Sequence, residues 1–367
     1  MNLPYSDRLD IAHFSRIFDN KSECYKLFWF QAIVNKASQG KDILTYEELI
    51  NEMIADAWYM VTEYHLNLGP KDTLELAVCR LAEISHMKSC EKKDIVLEYL
   101  KECTDKQLLE YKRVLTLNVP YRLQAPFMDS MKGNAWKVSQ RLLAERINQE
   151  KRLIYYFVEF NGRKTKIQIQ KEWMDYICEN HEIIRGWIEL NMIAYLQRRN
   201  PSVPGIVDKL YPPRERKMEK VKKYWKLLVS MKEFHEIYGN TLLNHKNISI
   251  DHFVPWSYVA HDEFWNLHPT TKNINSSKNN SLPEWDRYFP LLGKLEYVSY
   301  EMMWKYPVVH DEFEKCAKEH LNNQEIRERL YRKDLSQEQF IYSLQKVIDP
   351  VYQSTVNSGF SKWYWNK

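Results

Sequence analysis

Two β-prone runs that meet at Asn161-Gly162 are the feature that most limits how this chain can fold. Leu153 to Phe160 is largely apolar, and Arg163 to Gln170 returns with Thr165, Ile167 and Ile169 alternating against Lys and Gln. Asn and Gly both tolerate positive φ, so the dipeptide predicts a β-hairpin over 153–170 with one buried face. The surrounding pattern is helical. Asn20 to Glu23 reads as a cap for a helix that Gly40 stops. Thr45-Tyr46-Glu47-Glu48 is a capping box for a helix to about Tyr64, with Leu49, Met53, Ala57 and Met60 at helical spacing. Residues 73–84, 106–115 and the stretch from the hairpin to about Arg199 read the same way. Ser336-Gln337-Glu338-Gln339 opens a helix that Pro350 is expected to end.

Pro201, Pro204, Gly205, Pro212 and Pro213 punctuate the chain and place a domain boundary between 200 and 213. The expected fold class is mainly α with a small α+β part. A helical N-terminal domain with the hairpin would span 1–205, a second domain 206–300, and a helical extension 301–367. Apolar residues make up 44% and charged residues 28%, a mix that argues against disorder and collagen-like repeats. Apolar runs stay far below the ~18 residues of a membrane helix. The first residues, Met1-Asn2-Leu3-Pro4-Tyr5, lack an apolar signal core, so no secretory signal is expected. The six cysteines, at 24, 79, 90, 103, 178 and 316, form no CxxC pair. That spacing fits reduced thiols of a cytoplasmic protein and argues against a zinc ribbon. The N-terminal half has no Gly-rich phosphate loop and no nucleophile elbow. Dimerisation, partner docking and DNA binding all remain open for it.

The formal charge is only +4, from 53 basic and 49 acidic residues. Its distribution is more informative. Between Pro212 and Lys232, Arg214, Arg216, Lys217, Lys220, Lys222, Lys223, Lys226 and Lys232 stand against Glu215 and Glu219. This local excess of six leaves the rest of the chain slightly acidic and can draw in phosphates. Met218, Val221, Trp225 and Leu228 form the buried stripe of the same helix, which turns the lysines outward.

The chemistry-bearing segment follows. Ser249-Ile250-Asp251-His252-Phe253-Val254-Pro255 leads to Trp265-Asn266-Leu267-His268-Pro269, then to Asn273-Ile274-Asn275-Ser276-Ser277-Lys278 and Ser281-Leu282-Pro283. This reads as two short strands, a loop and a helix. Adjacent Asp251 and His252 would face opposite ways on a strand, so one can hold a cation while the other reaches the substrate. Asp and Asn oxygens are hard donors suited to Mg²⁺ that keeps several waters. A neutral His beside them can take a proton from water. Asn273 competes with Asn275, but side chains two apart on a helix point about 200° apart, so only one can face the ion. His245, His261 and His268 read as loop or surface residues. Arg287 could clamp a phosphate or form a structural ion pair.

The ordered set Asp-His, Asn-Leu, Asn-x-x-Lys and Leu-Pro resembles the HNH (ββα-metal) endonuclease family. The spacings from His252 to Asn266 and to Asn275, 14 and 23 residues, are similar to those in the HNH domain of Cas9-type nucleases. The resemblance covers roughly 50 residues; nothing upstream resembles Cas9. It implies His252 as general base, Asp251 and Asn275 as ligands of one Mg²⁺ or Mn²⁺, and Asn266 as the brace of the His loop. Lys278 would contact phosphate or anchor the helix. Arg214, Arg216, Lys217, Lys220 and Lys223 would add phosphate attraction. The paired cysteines of a structural zinc knuckle are missing, so no structural zinc is expected. Packing through Trp256, Phe264, Trp265 and Trp285 would replace it. The implied activity is hydrolysis of nucleic acid, DNA above all, in a bacterial defence or restriction-like setting. A protein partner or second copy would dock on the N-terminal domain, and no membrane is involved. A catalytically inactive nucleic-acid-binding module and a mobile-element nuclease are the alternatives.

Overall fold

Helices dominate because apolar residues recur at helical spacing behind good caps. The computed structural model describes residues 3–19, 23–128, 131, 133–212 and 218–366. Asn20, Lys21 and Ser22 of the expected first cap, and Arg214, Arg216 and Lys217, lie outside the described residues. The chain divides into two units, residues 1–201 and 202–367. The expected boundary near 205 lies four residues beyond the observed one. The extension 301–367, however, is not a separate body. Its helices pack on those of the 206–300 region, so the two form one unit.

In the first unit the helix Tyr46–Thr62 starts at a complete capping box, Thr45 with Glu48. The helices Thr73–Ser85 and Lys106–Leu115 start at Asp72 and Asp105, whose carboxylates accept first-turn N–H groups. A further helix, Lys93–Glu102, was not foreseen; its N-cap, Lys92, makes no side-chain cap bond. Strands β2 (Tyr155–Glu159) and β3 (Lys166–Ile169) form the hairpin. β1 (Ile43–Thr45) adds a third, unforeseen strand on the other edge of β3. The hairpin turn is longer than a two-residue one. Only Gly162 takes positive φ (+52°), and a 3-10 turn over Gly162–Lys164 follows. Thr165 closes this turn, its hydroxyl accepting from the Asn161 N–H and donating to the Gly162 carbonyl. In the core of this unit Phe30 meets Phe14 and Trp187 edge to face, and Phe14 packs at a tilt on Trp173 and Trp187.

The second unit holds the basic helix Glu219–Met231, then β4 (Ile248–His252), β5 (Leu267–Thr271), the short helix Lys272–Lys278 and β6 (Leu282–Pro283). Helices Trp285–Lys305, Pro307–His320 and Gln337–Asn357 and strand β7 (Lys362–Trp363) complete it. β4 and β5 are antiparallel, and β7 pairs parallel with β6. Pro350 does not end the last helix, which continues to Asn357. Proline removes one backbone donor, but Ile348, Tyr352 and Thr355 are buried on either side of it and hold the helix in place. Trp285 stacks on Phe289 at 4.2 Å, while Phe264 and Trp265 are buried. Among the described residues no helix is long and apolar enough to cross a membrane.

Candidate active site

β4 and β5 set the positions of the chemistry-bearing groups. Their register places Asp251 opposite His268 and His252 opposite Leu267. Side chains alternate along a strand, so Ser249 and Asp251 share one face and His252 takes the other. The helix Lys272–Lys278 lies against the Ser249 and Asp251 face. Asn275 Nδ2 donates to Ser249 Oγ (3.1 Å) and to the Ile250 carbonyl (2.9 Å). Lys278 Nζ, one turn on, donates to Asp251 Oδ1 (3.2 Å) and to the His252 carbonyl (2.7 Å). Asn273, by contrast, is exposed. Asn275 is thus the asparagine that turns to the Asp251 strand.

Past His252 the chain is braced by one side chain. Asn266, 1% exposed, accepts from the Val254 N–H (2.8 Å) and donates to the Val254 carbonyl (2.9 Å). Its own carbonyl accepts from the Phe253 N–H (2.9 Å). On the opposite face from Asp251, His252 Nε2 lies 2.8 Å from Asp262 Oδ1. Two strands, a connecting excursion and a helix thus bring Asp, His and two Asn into one small unit.

Residues 235–284 match the family model of the HNH endonuclease. No curated protein and no solved structure matches the chain. The match supports nuclease action on nucleic acid by a segment of this family.

Burial shapes the electrostatics of the HNH segment. Asp251 and His252 are each 5% exposed, and Lys278 and His268 are fully buried. Low solvent access strengthens every charge interaction among them. Burial lowers the Lys278 ammonium below its ordinary value, with Asp251 opposing that shift. Burial likewise lowers His268 to about 4, again opposed by Asp251. The Tyr238 phenol is raised well above its usual range by burial and by the Asp251 carboxylate, to which it donates at 3.2 Å.

Of the two roles expected of Lys278, the contacts it makes are those of a helix anchor, its ammonium buried against Asp251 on β4. One expectation needs correction. His268 is no loop or surface residue. It sits within β5, with Nε2 3.8 Å from Asp251 Oδ2, and Tyr238 packs edge-on against its ring. Lys220 and Lys223 are paired with Glu319 (2.6 Å) and Glu312 (3.0 Å) of the helix Pro307–His320. Arg287 is exposed, its guanidinium 5.2 Å from the Tyr288 ring. Sequence reasoning missed Asp262, Tyr238 and the placement of His268. The strand register would have revealed His268, but no local pattern marks Asp262, ten residues beyond its partner.

The donor set suits a hard cation. Asp251 supplies a carboxylate with lone pairs beyond those used by Tyr238 and Lys278. With Nδ2 of Asn275 committed to the strand, its amide oxygen remains as the second donor. Among the described residues no three His, Cys, Asp or Glu gather as a metal cluster. Two oxygen donors fit an ion that keeps water and takes phosphate oxygens, and do not fit a four-ligand zinc site. Hydrogen bonds and aromatic packing hold the turn at Tyr238 and Gly239. The Glu236 carboxylate accepts from the N–H groups of Tyr238 (2.7 Å), Gly239 (2.9 Å) and Thr241 (2.7 Å), which closes the turn. Trp363 meets Tyr238 edge to face at 5.0 Å, and Trp365 lies over Gly239.

Proposed function

We propose that this protein is an endonuclease that cuts the phosphodiester backbone of nucleic acid, DNA in the first instance, through its HNH segment. The observation that carries this reading is the joint placement of Asp251 and Asn275 on one side of β4 and of His252 directly after Asp251, inside the family-matched residues. His252 takes a proton from water, and the hydroxide attacks phosphorus in line. Strand ends with 5′-phosphate and 3′-OH result. Asn266 keeps the backbone after His252 fixed, so the imidazole does not have to be ordered at the moment of reaction. A divalent cation, Mg²⁺ or Mn²⁺, held by Asp251 and Asn275 would neutralise charge building on the phosphate oxygens and the leaving oxygen. The setting we propose is a defence or restriction-like system, with dimerisation, partner docking and DNA binding as the roles open to the 1–201 unit.

Cleavage of labelled single-stranded DNA, double-stranded DNA and RNA, with Mg²⁺, with Mn²⁺ and with EDTA, tests the reading. His252→Ala is expected to slow cleavage by about 100-fold or more. Asn275→Ala is expected to raise the Mg²⁺ concentration needed, and Asn273→Ala to leave it unchanged. Wild-type rates for His252→Ala would sink the assignment.

A further inference from the structure

We propose that Asp262 is the positioning residue that fixes the ring of His252, and that the chain around His320 and Asn322 holds Asp262 there. This deepens the nuclease reading and rests on it for its kinetic consequence.

The geometry is direct. Asp262 Oδ1 stands 2.8 Å from His252 Nε2. An ionised carboxylate can only accept a hydrogen bond, so Nε2 carries the hydrogen. In the neutral ring the lone pair then belongs to Nδ1, which makes Nδ1 the nitrogen that takes a proton from water. A base whose tautomer and tilt are set beforehand loses nothing to rotation as the reaction proceeds.

Asp262 lies in the excursion between β4 and β5, two residues after Ala260, which takes the left-handed φ of +55°. Such an excursion would ordinarily move, but this one is tied at Asp262 itself and at the residue that follows it. The Asp262 carbonyl accepts from His320 Nδ1 at 2.9 Å, and His320 is 2% exposed. Glu263 Oε1 accepts from the Asn322 N–H (3.2 Å) and from Asn322 Nδ2 (2.6 Å). His320 ends the helix Pro307–His320, so a helix well outside the family-matched 235–284 reaches back to the candidate base.

Four full-length single variants, one double variant and one spectroscopic readout test this. In ¹⁵N-histidine-labelled protein, with His252→Ala identifying the signal, the His252 ring is expected as the Nε2–H tautomer. In Asp262→Ala it should lose that fixed state. On a cleaved oligonucleotide, Asp262→Ala is expected to lower kcat about 10- to 100-fold with KM within about threefold of wild type. Asp262→Asn keeps the shape but offers an amide that can donate to Nε2, so it should lose kcat as well; it also serves if the Ala variant does not fold. Asn322→Ala is expected to lower kcat less, and to add nothing in the Asp262→Ala background. The proposal falls if the wild-type ring is the Nδ1–H tautomer, or if Asp262→Asn cleaves within about threefold of wild type. Additive losses from Asn322→Ala and Asp262→Ala would overturn the role given to the 320–322 segment. If the wild-type protein cuts no nucleic acid at all, the nuclease reading fails, and the ring tautomer still decides what Asp262 does.

Discussion

Among the described residues no cation pairs with the Glu296 carboxyl. It is 3% exposed, close enough to raise the Tyr224 and Tyr331 phenols, and burial raises it well above the ordinary carboxylate range. Between the unfolded value and this raised one, the native chain keeps the proton and the unfolded chain loses it. The unfolded state then binds fewer protons, so stability falls as pH rises across that window. The slope is about 1.4 kcal/mol per pH unit for one such group. Glu296→Gln removes the titration and keeps the shape. The variant is expected to match wild type near pH 4 and to be the more stable protein at pH 8. Urea midpoints followed by tryptophan fluorescence at the two pH values measure this; equal midpoints at pH 8 would contradict it. The residues of the HNH segment behave differently. Asp251, His252, Asn266 and Asn275 were legible because their spacing carries the geometry. Asp262 and His268 were not, because their roles depend on which residues a folded strand and its excursion bring opposite one another.

At the scale of elements, the short β6–β7 pair packs aromatic rings onto the Tyr238-Gly239 turn. The tail from Ser361 runs beside Leu282 and Pro283, sets Trp363 on Tyr238 and lays Trp365 over Gly239. A Cβ at position 239 would stand 2.7 Å from Trp365 Nε1 and 2.8 Å from its Cδ1. The indole is rigid, and the backbone N–H of Trp365 donates to Tyr288 Oη at 2.9 Å, which holds the chain that carries the ring in place. Gly239→Ala is therefore expected to cost about 1–3 kcal/mol, read as a lowered Tm and as altered indole emission. An unchanged Tm would mean that the tail contributes little to holding the unit. The contact was not legible in the sequence, since nothing local links positions 239 and 365. The same reason hid β1, three residues whose strand identity comes from β3 and not from their own pattern. It also misplaced the stop at Pro350, where burial of Tyr352 and Thr355 outweighs one missing hydrogen bond.

For the molecule as a whole, the question is how a nearly neutral protein attracts a polyanion. The basic helix Glu219–Met231 looked like a free positive stripe in the sequence, yet the helix Pro307–His320 lays Glu319 and Glu312 against Lys220 and Lys223. Lys315 shares Glu312 at 2.7 Å, and together the two lysines lower the Glu312 carboxyl below its ordinary value. A lysine already paired with a carboxylate adds little to the field and releases few counterions when DNA arrives. Two unpaired lysines on phosphates would each contribute about 0.9 to the slope of log K against log salt. The double variant Lys220→Ala with Lys223→Ala is thus expected to change that slope by less than one. The opposite change is the sharper test. Glu312→Gln with Glu319→Gln frees both ammonium groups, and should tighten DNA binding at low salt and steepen the slope by about one to two. Fluorescence-anisotropy titrations from 50 to about 300 mM salt, with EDTA present so that no strand is cut, separate the two cases. A flat response to the acidic pair and a large one to the lysines would mean that the stripe meets phosphate directly and that the ion pairs open on binding.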